Sequence, residues 1–398
     1  MKRFLILSAA VLLMNFYPVD YISVRDNFKI GFTGDILMHN NIKKTAGILS
    51  RKEENNYGYD YFFDEISNEL SYADVMCGNM EFPVSPPFKS DGFIFNAPPH
   101  IAAALKTAGF DIMNLANNHI TDQKTKGLLY TVNLLESVEL DYIGAAQTEE
   151  TARKGIIKEK NGIRTGFLAY TGLTNYSDRL KSDKYYINWI YDKEKVEQDI
   201  TDMKQRCDYL VIQIHNGVEY TLTPAAWKVK LYHEIAEMGA DLIIGHHPHS
   251  IQSAENFLTA DSRQVPIFYS LGNFISDQKQ SFPIKGTRET VSIKSTFIVY
   301  VHLFKKWSQL QSRLEILPVY TENYPDEFKK RPFRNIKVKP IAAEIYNLEN
   351  QLNSDSPADP KLSVKLTRLK SELNAIKMVV FPEGIPDNMI FTEQYSGD

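Results

Sequence analysis

Six short apolar runs in this chain each end on a polar motif. They are KIGFT before Gly34-Asp35, DVMCG before Asn79-Met80-Glu81, DIMNLA before Asn117-Asn118-His119, YLVIQI before His215, DLIIG before His246-His247-Pro248-His249, and IFYSL before Gly272-Asn273. Helical patterns lie among them, within 58–70 and near 99–108, 123–139, 193–205 and 224–238. Short strands alternating with helices call for a parallel sheet with crossover helices. The carboxyl ends of parallel strands line one edge, so polar residues far apart in sequence meet there.

Two later runs, VSIKSTFIVYVHLF and SRLEILPVY, have no helix between them and are expected to pair antiparallel. From about Glu322 the chain becomes rich in Pro and Lys. Two helical stretches follow, near 339–353 and 360–377, split by DSPADP. The spacing of Ile341, Ile345, Leu348 and Leu352, and of Leu366, Leu369, Leu373 and Ile376, predicts a helical hairpin with one packed face. A chain of 398 residues with 43% hydrophobic content can bury a core large enough for one α/β domain with an appendage, or for two domains.

Net charge is −4, and the absence of a basic excess gives no reason to expect nucleic acid as a partner. Met1-Lys2-Arg3 followed by the apolar run Phe4 to Tyr17 has the form of a secretory signal, and export is expected. The run is too short to span a bilayer comfortably and lacks a small-x-small cleavage site, so cleavage and retention as an anchor both stay open. No Cys follows it, which argues against a lipoprotein; a buried N-terminal helix or strand is the plainer alternative. Cys77 and Cys207 sit in apolar stretches and are expected as core thiols on neighbouring strands, with a single bridge also compatible.

The residue types at the strand ends point to a metal. His nitrogens with Asp and Glu oxygens and no thiolate suit borderline divalent ions, Zn, Mn or Fe, better than Ca or Mg alone. His247 and His249 alternate along a segment expected to be extended, so they are expected to face the same way. Five or six donors exceed the need of one tetrahedral ion, which favours two ions sharing a carboxylate. Singly, each motif has a plainer reading: His215 as a structural strand-end histidine, Asn117, Asn118 and Asp122 as helix caps, Asp35 as a turn residue, Glu81 as a solvated charge. Their coincidence on one edge favours a shared site. His39, His100, His233 and His302 fall outside it and are read as surface or core histidines.

The segments GFTGDILM, GNMEFPV, MNLANNHITDQKTKGLLYTVNLLE, IQIHNGVEY, GADLIIGHHPHSIQ and IFYSLGNFISDQ resemble the CapA (poly-γ-glutamate capsule synthesis) family of the calcineurin-like metallophosphatase superfamily, over about residues 28–280. The resemblance implies a four-layer α-β-β-α sandwich with a dimetal site at the strand ends, preceded by a signal or anchor at 1–27, spanning 28–321, and followed by a C-terminal extension at 322–398. By resemblance, Asp35 is a ligand of the first ion, Glu81 stands at the bridging position, and Asn118 is the Asn ligand. His119 resembles the His that protonates a leaving group or stabilises the transition state. His215 and His247 resemble ligands of the second ion, and His249 one of the first. Two departures stand out: Leu37 occupies the place of the His in the usual Asp-x-His, leaving the first ion short of a ligand, and Glu replaces the bridging Asp.

The family is associated with making, exporting or anchoring poly-γ-glutamate at the cell envelope. That implies an anionic envelope polymer or a phosphoester as substrate, membrane synthase subunits as partners, and a periplasmic, extracellular or membrane-anchored location. Two functions follow. One is a metal-dependent hydrolase using water as nucleophile; the other is a non-catalytic accessory subunit that binds polymer and synthase partners.

Overall fold

A computed structural model describes residues 28–395, apart from 51–55, 177–180, 183, 307, 326–333 and 355–358. The expected signal or anchor at 1–27 lies outside the described residues, and no helix among them is long and apolar enough to cross a membrane.

Among the described residues, two large sheets of nine and six strands dominate. In the first, Phe28–Ile36, Val75–Met80, Ile112–Asn114 and Asp141–Ile143 run parallel in that spatial order. On the other side of Phe28–Ile36 the sheet continues antiparallel through Ser295–Lys306, Gln309–Pro325 and Arg334–Pro340, the expected late pair plus one more strand. The second sheet has a parallel centre of Ile163–Thr171, Tyr209–His215, Leu242–His246 and Gln264–Phe268. Ile156–Lys160 and Ala254–Leu258 close its edges antiparallel.

Alternation along a strand explains how the layers stack. In Tyr209–His215, Leu210, Ile212 and Ile214 pack with Val196, Ile200 and Met203 of helix Lys193–Lys204 and with Leu231, Tyr232 and Ile235 of helix Ala226–Met238. Tyr209 and Val211 point the other way, into a core shared with Phe32, Cys77 and Met113 of the first sheet. Both faces of the strand are therefore apolar, as a central parallel strand requires. The same two-residue period carries Gln213 and His215 onto the inner face, between the sheets. Helices on the outside of each sheet complete the expected four-layer α-β-β-α arrangement.

The C-terminal helices Ile341–Ser354 and Pro360–Val380 pack on the first sheet through Ile341, Ile345, Leu348, Leu369 and Ile376. Asp359 starts the second of them, its carboxylate accepting the Lys361 N–H at 2.9 Å with Pro360 in the first turn. Residues 322–325 continue the strand Gln309–Pro325, and Met389–Phe391 returns to pair with its middle, so the extension is built into the sheet.

Two local expectations fail. Residues 58–70 form two 3-10 turns, Asn56–Gly58 and Asp60–Phe62, and the short helix Ser67–Ser71, in place of one helix. Tyr57 and Gly58 have φ of 51° and 76°, which breaks any helix at its start, and the aromatic side chains that follow bury themselves individually. Cys77 and Cys207 are free and buried as expected, but they are not on neighbouring strands: Cys77 is on Val75–Met80 of the first sheet, and Cys207 lies in the loop before Tyr209–His215 of the second.

Candidate metal centre

The seam between the carboxyl ends of the parallel strands of the two sheets holds a buried cluster of polar side chains. Asp35 reaches it through a register break: the ladder to Val75–Met80 shifts between Phe32 and Asp35, at Gly34. A Cβ at Gly34 would stand 2.0 Å from the Gly272 carbonyl oxygen, so only glycine lets the Asp35 N–H donate to that oxygen at 2.8 Å. The Asp35 carboxylate then accepts the Asn79 amide at 2.8 Å on one oxygen and faces His249 Nδ1 at 3.2 Å with the other. His246 Nδ1 also lies 3.2 Å from Asp35 Oδ1, at an angle that makes no hydrogen bond.

Glu81 follows directly on its strand and is tied to the first strand by its N–H on the Ile36 carbonyl at 3.1 Å. Its side chain is fully buried, and neither carboxylate oxygen has a hydrogen-bond partner. Around it stand His215 Nε2 at 3.5 Å, His119 Nε2 at 3.9 Å and His249 Nδ1 at 3.9 Å. Donor atoms of Glu81, His215 and His247 all lie within 4.8 Å of one another, and so do those of Asp35, Glu81 and His249. Glu81 belongs to both triads.

Asn118 Oδ1 sits 2.7 Å from His215 Nε2, beside the first of these triads. His119 turns away from its neighbour: its Nδ1 is 2.7 Å from Asp122 Oδ2, and its ring leans on Phe95 with centroids 4.4 Å apart. That leaves Nε2 directed at the Glu81 side of the centre. All seven residues singled out in the sequence, Asp35, Glu81, Asn118, His119, His215, His247 and His249, thus converge in one place.

The electrostatics are compatible with a bound cation. Burial, reinforced by the charges of Asp35, Glu219 and Asp122, pushes the Glu81 carboxyl well above its ordinary range. Burial acts the same way on Asp35, but the imidazoles of His246 and His249 outweigh it and hold that carboxyl well below. Burial keeps His215 well below its usual value and lowers His247 to about 3, with neighbouring histidines adding to both. Neutral imidazoles offer their lone pairs, and a buried carboxylate with two orphaned oxygens lacks a positive partner. A divalent cation would meet both needs.

Where the sequence reading misplaced a residue, the cause is local geometry. His247 and His249 do not alternate along an extended segment: the strand Leu242–His246 ends at His246, and both have positive φ, 96° and 60°. Non-glycine residues are held there at a cost of about 1–3 kcal/mol each, so neighbouring contacts must fix this turn. Asn117 and Asp122 cap no helix. Asn117 donates to the Met80 carbonyl at 2.9 Å, while Asp122 accepts the Phe95 N–H at 2.6 Å and holds His119.

Asn79 was visible only as part of a motif, yet it links three groups, donating to Asp35 and His215 and accepting from Asn114 at 3.1 Å. Asn175, from a loop without any pattern, bridges Asn118 and Asp122 at 3.0 and 3.2 Å. Asn273 Oδ1 stands 3.1 Å from His249 Nδ1. His39 borders the site, its ring edge-on to Phe95 at 5.3 Å and its pKa lowered by burial to about 4. His233 and His302 pair with Glu255 and Glu315 away from it.

Comparison with known proteins places these residues in context. The profile described as "Bacterial capsule synthesis protein PGA_cap" matches residues 29–278, which include every member of the cluster. The chain is 31% identical over 284 residues to "Capsule biosynthesis protein CapA" of Bacillus anthracis, covering 69% of this chain and 66% of that protein. It is 28% identical over 328 residues to "PGA biosynthesis protein CapA" of Bacillus subtilis strain 168, covering 80% of this chain and 78% of that one. Among solved structures, the NAD nucleotidase NadN of Haemophilus influenzae aligns over 88% of this chain and 61% of its own, at 10% identity and a TM-score of 0.43.

Proposed function

The chain belongs to the bacterial capsule synthesis protein family PGA_cap, and from that premise we propose that it is a two-metal hydrolase of capsule poly-γ-glutamate metabolism, acting on a phosphoester or on an envelope polymer bond. The observation that carries this reading is Glu81: a buried carboxylate, both oxygens without a partner, common to two triads of donors. Glu81, His215 and His247, with Asn118 beside them, would hold one ion; Asp35, Glu81 and His249 would hold the other. Bound there, the ions supply Lewis-acid activation of water and charge neutralisation at the reacting group.

The protein's own part is positioning and proton transfer. Asp122 holds the Nδ1 side of His119 and so aims Nε2 at the centre, where the imidazole can give a proton to a leaving oxygen. A groove of about 1010 Å³, lined among others by Tyr220, Leu222, Phe282, Ile284 and Lys285, starts beside the centre, since the Tyr220 and His249 rings are 5.9 Å apart. An extended polymer suits such a groove better than a small ester does.

One observation favours a second reading, that of an accessory subunit whose ions only brace the fold or hold polymer carboxylates. Leu37 is a buried hydrocarbon where a further ligand of the first ion would stand. The two readings part under one experiment: turnover on generic phosphoesters and on γ-glutamyl polymer, with metal content measured on the same samples. For a hydrolase, His119→Ala lowers turnover by about 10²–10⁴ and keeps its metal, while His247→Ala loses metal. Loss of metal from His119→Ala would overturn the role given to His119. A wild type inactive on every such substrate would favour the accessory reading.

A further inference from the structure

A second polar pocket, of about 250 Å³, lies where the helix Pro360–Val380 crosses the antiparallel half of the first sheet. Its wall includes Lys279, from the segment after the strand Asn273–Ile275, Lys294, next to the strand Ser295–Lys306, Tyr320 on Gln309–Pro325, and Arg368 on the helix. Three sheet-side elements and the C-terminal helix therefore meet around it.

The balance of charge there is lopsided. Lys279, Lys294 and Arg368 have no carboxylate partner among the described residues, and the Lys294 ammonium donates only to the Asn323 carbonyl, at 3.2 Å. Two carboxylates line the pocket, Glu322 neutralised by lysines and Glu372 held through one oxygen by neutral donors, so three cations face one uncompensated carboxylate. Glu322 is paired with Lys365 at 2.9 Å and Lys339 at 3.2 Å. Glu372 accepts the Ser292 N–H at 3.1 Å and the Ser295 hydroxyl at 2.7 Å. The Tyr320 side chain is 5% exposed, and its hydroxyl is buried without a partner. A buried hydroxyl with nothing to bond to is destabilising unless a ligand or water completes it. Burial, followed by the charges of Arg368, Arg334 and Lys279, lowers the Lys294 pKa, so the cations repel one another as the pocket stands.

We infer that this pocket is an oxyanion site separate from the metal centre, in which Lys294 and Arg368 face a carboxylate or phosphate group and the Tyr320 hydroxyl donates to it. A volume of this size takes one such group with a short stem. The inference does not depend on the hydrolase reading, because none of these residues is a metal donor.

The test is calorimetric titration of the full chain, treated with chelator, with a short γ-linked glutamate oligomer and, separately, with inorganic phosphate. Saturable binding of either probe is expected, weakened at least tenfold by Arg368→Gln and by Lys294→Gln, and several-fold by Tyr320→Phe. Arg368 is exposed on its helix, so its substitution leaves folding intact even if the half-buried Lys294 variant does not. Binding of the oligomer alone identifies polymer carboxylates as the source, and binding of phosphate alone identifies the free ion. Binding retained by His247→Ala separates this pocket from the metal centre. No binding of either probe at millimolar concentration, or binding indifferent to Arg368→Gln, would overturn the inference.

Discussion

Lys228 shows how far single side chains here depart from their ordinary chemistry. It is fully buried in the helix Ala226–Met238, donating to the Tyr269 carbonyl at 2.7 Å and to Gln252 at 3.2 Å, with the Tyr232 ring 5.3 Å from its ammonium. Burial lowers its pKa from 10.5 to about 7. A folded-state value below the unfolded one means that the unfolded chain holds the extra proton between those two values. The penalty is therefore complete below pH 7 and fades as pH rises from 7 towards 10.5. Urea denaturation of the chelator-treated protein should show wild-type stability gaining on Lys228→Met across that window, by at most about 5 kcal/mol. Parallel curves for the two proteins would contradict this. At the same scale, the strand-end donors could be read in the sequence because a strand end is a patterned position. Asn175 and the grip of Asp122 on His119 could not, since they depend on which loop crosses the seam, and no periodicity records that.

At the scale of elements, burial on both strand faces made the strands legible, and strong apolar spacing did the same for the two C-terminal helices. The stretch 58–70 was misread because a run of aromatics satisfies a helical spacing without forming a helix once Tyr57 and Gly58 take positive φ. The turn His247–His249 was misread for a related reason: alternation holds only while the strand lasts, and it ends one residue earlier. The C-terminal helix pair contributes to the main core. Ile376, fully buried under the sheet, should cost about 2–5 kcal/mol when changed to Ala. Val364, 70% exposed on the same helix, should change stability by no more than about 0.5 kcal/mol in the same assay. Equal effects at the two positions would show that the helix does not pack as described.

At the scale of the whole molecule, the two large sheets of the described residues face each other, and which strand joins which sheet is the part least legible in the sequence. Alternating strands and helices look alike whichever sheet they join, so the sequence pattern predicts the layers without saying that the strand before His215 faces the strand before Asp35. That partition matters for the proposed metal centre. Asp35, Glu81 and Asn118 come from the first sheet and its loops; His215, His247 and His249 come from the second. Ligands that bind only the folded state stabilise it by about 4 kcal/mol when present at a thousand times their dissociation constant. Chelation should accordingly lower the melting temperature by several degrees, and restoring Mn or Zn should recover it. An unchanged melting temperature would mean that no ion spans the seam. Viewed mechanically, the centre is a rivet through two plates near one rim. Amide hydrogen exchange in the loaded protein should slow most at the carboxyl ends of the facing strands, while the opposite rim, where the Lys160–Asp74 pair at 2.6 Å and the Lys305 donation to the Gly162 carbonyl at 2.9 Å link the sheets near the surface, keeps its own rate and is where the plates would first part under load.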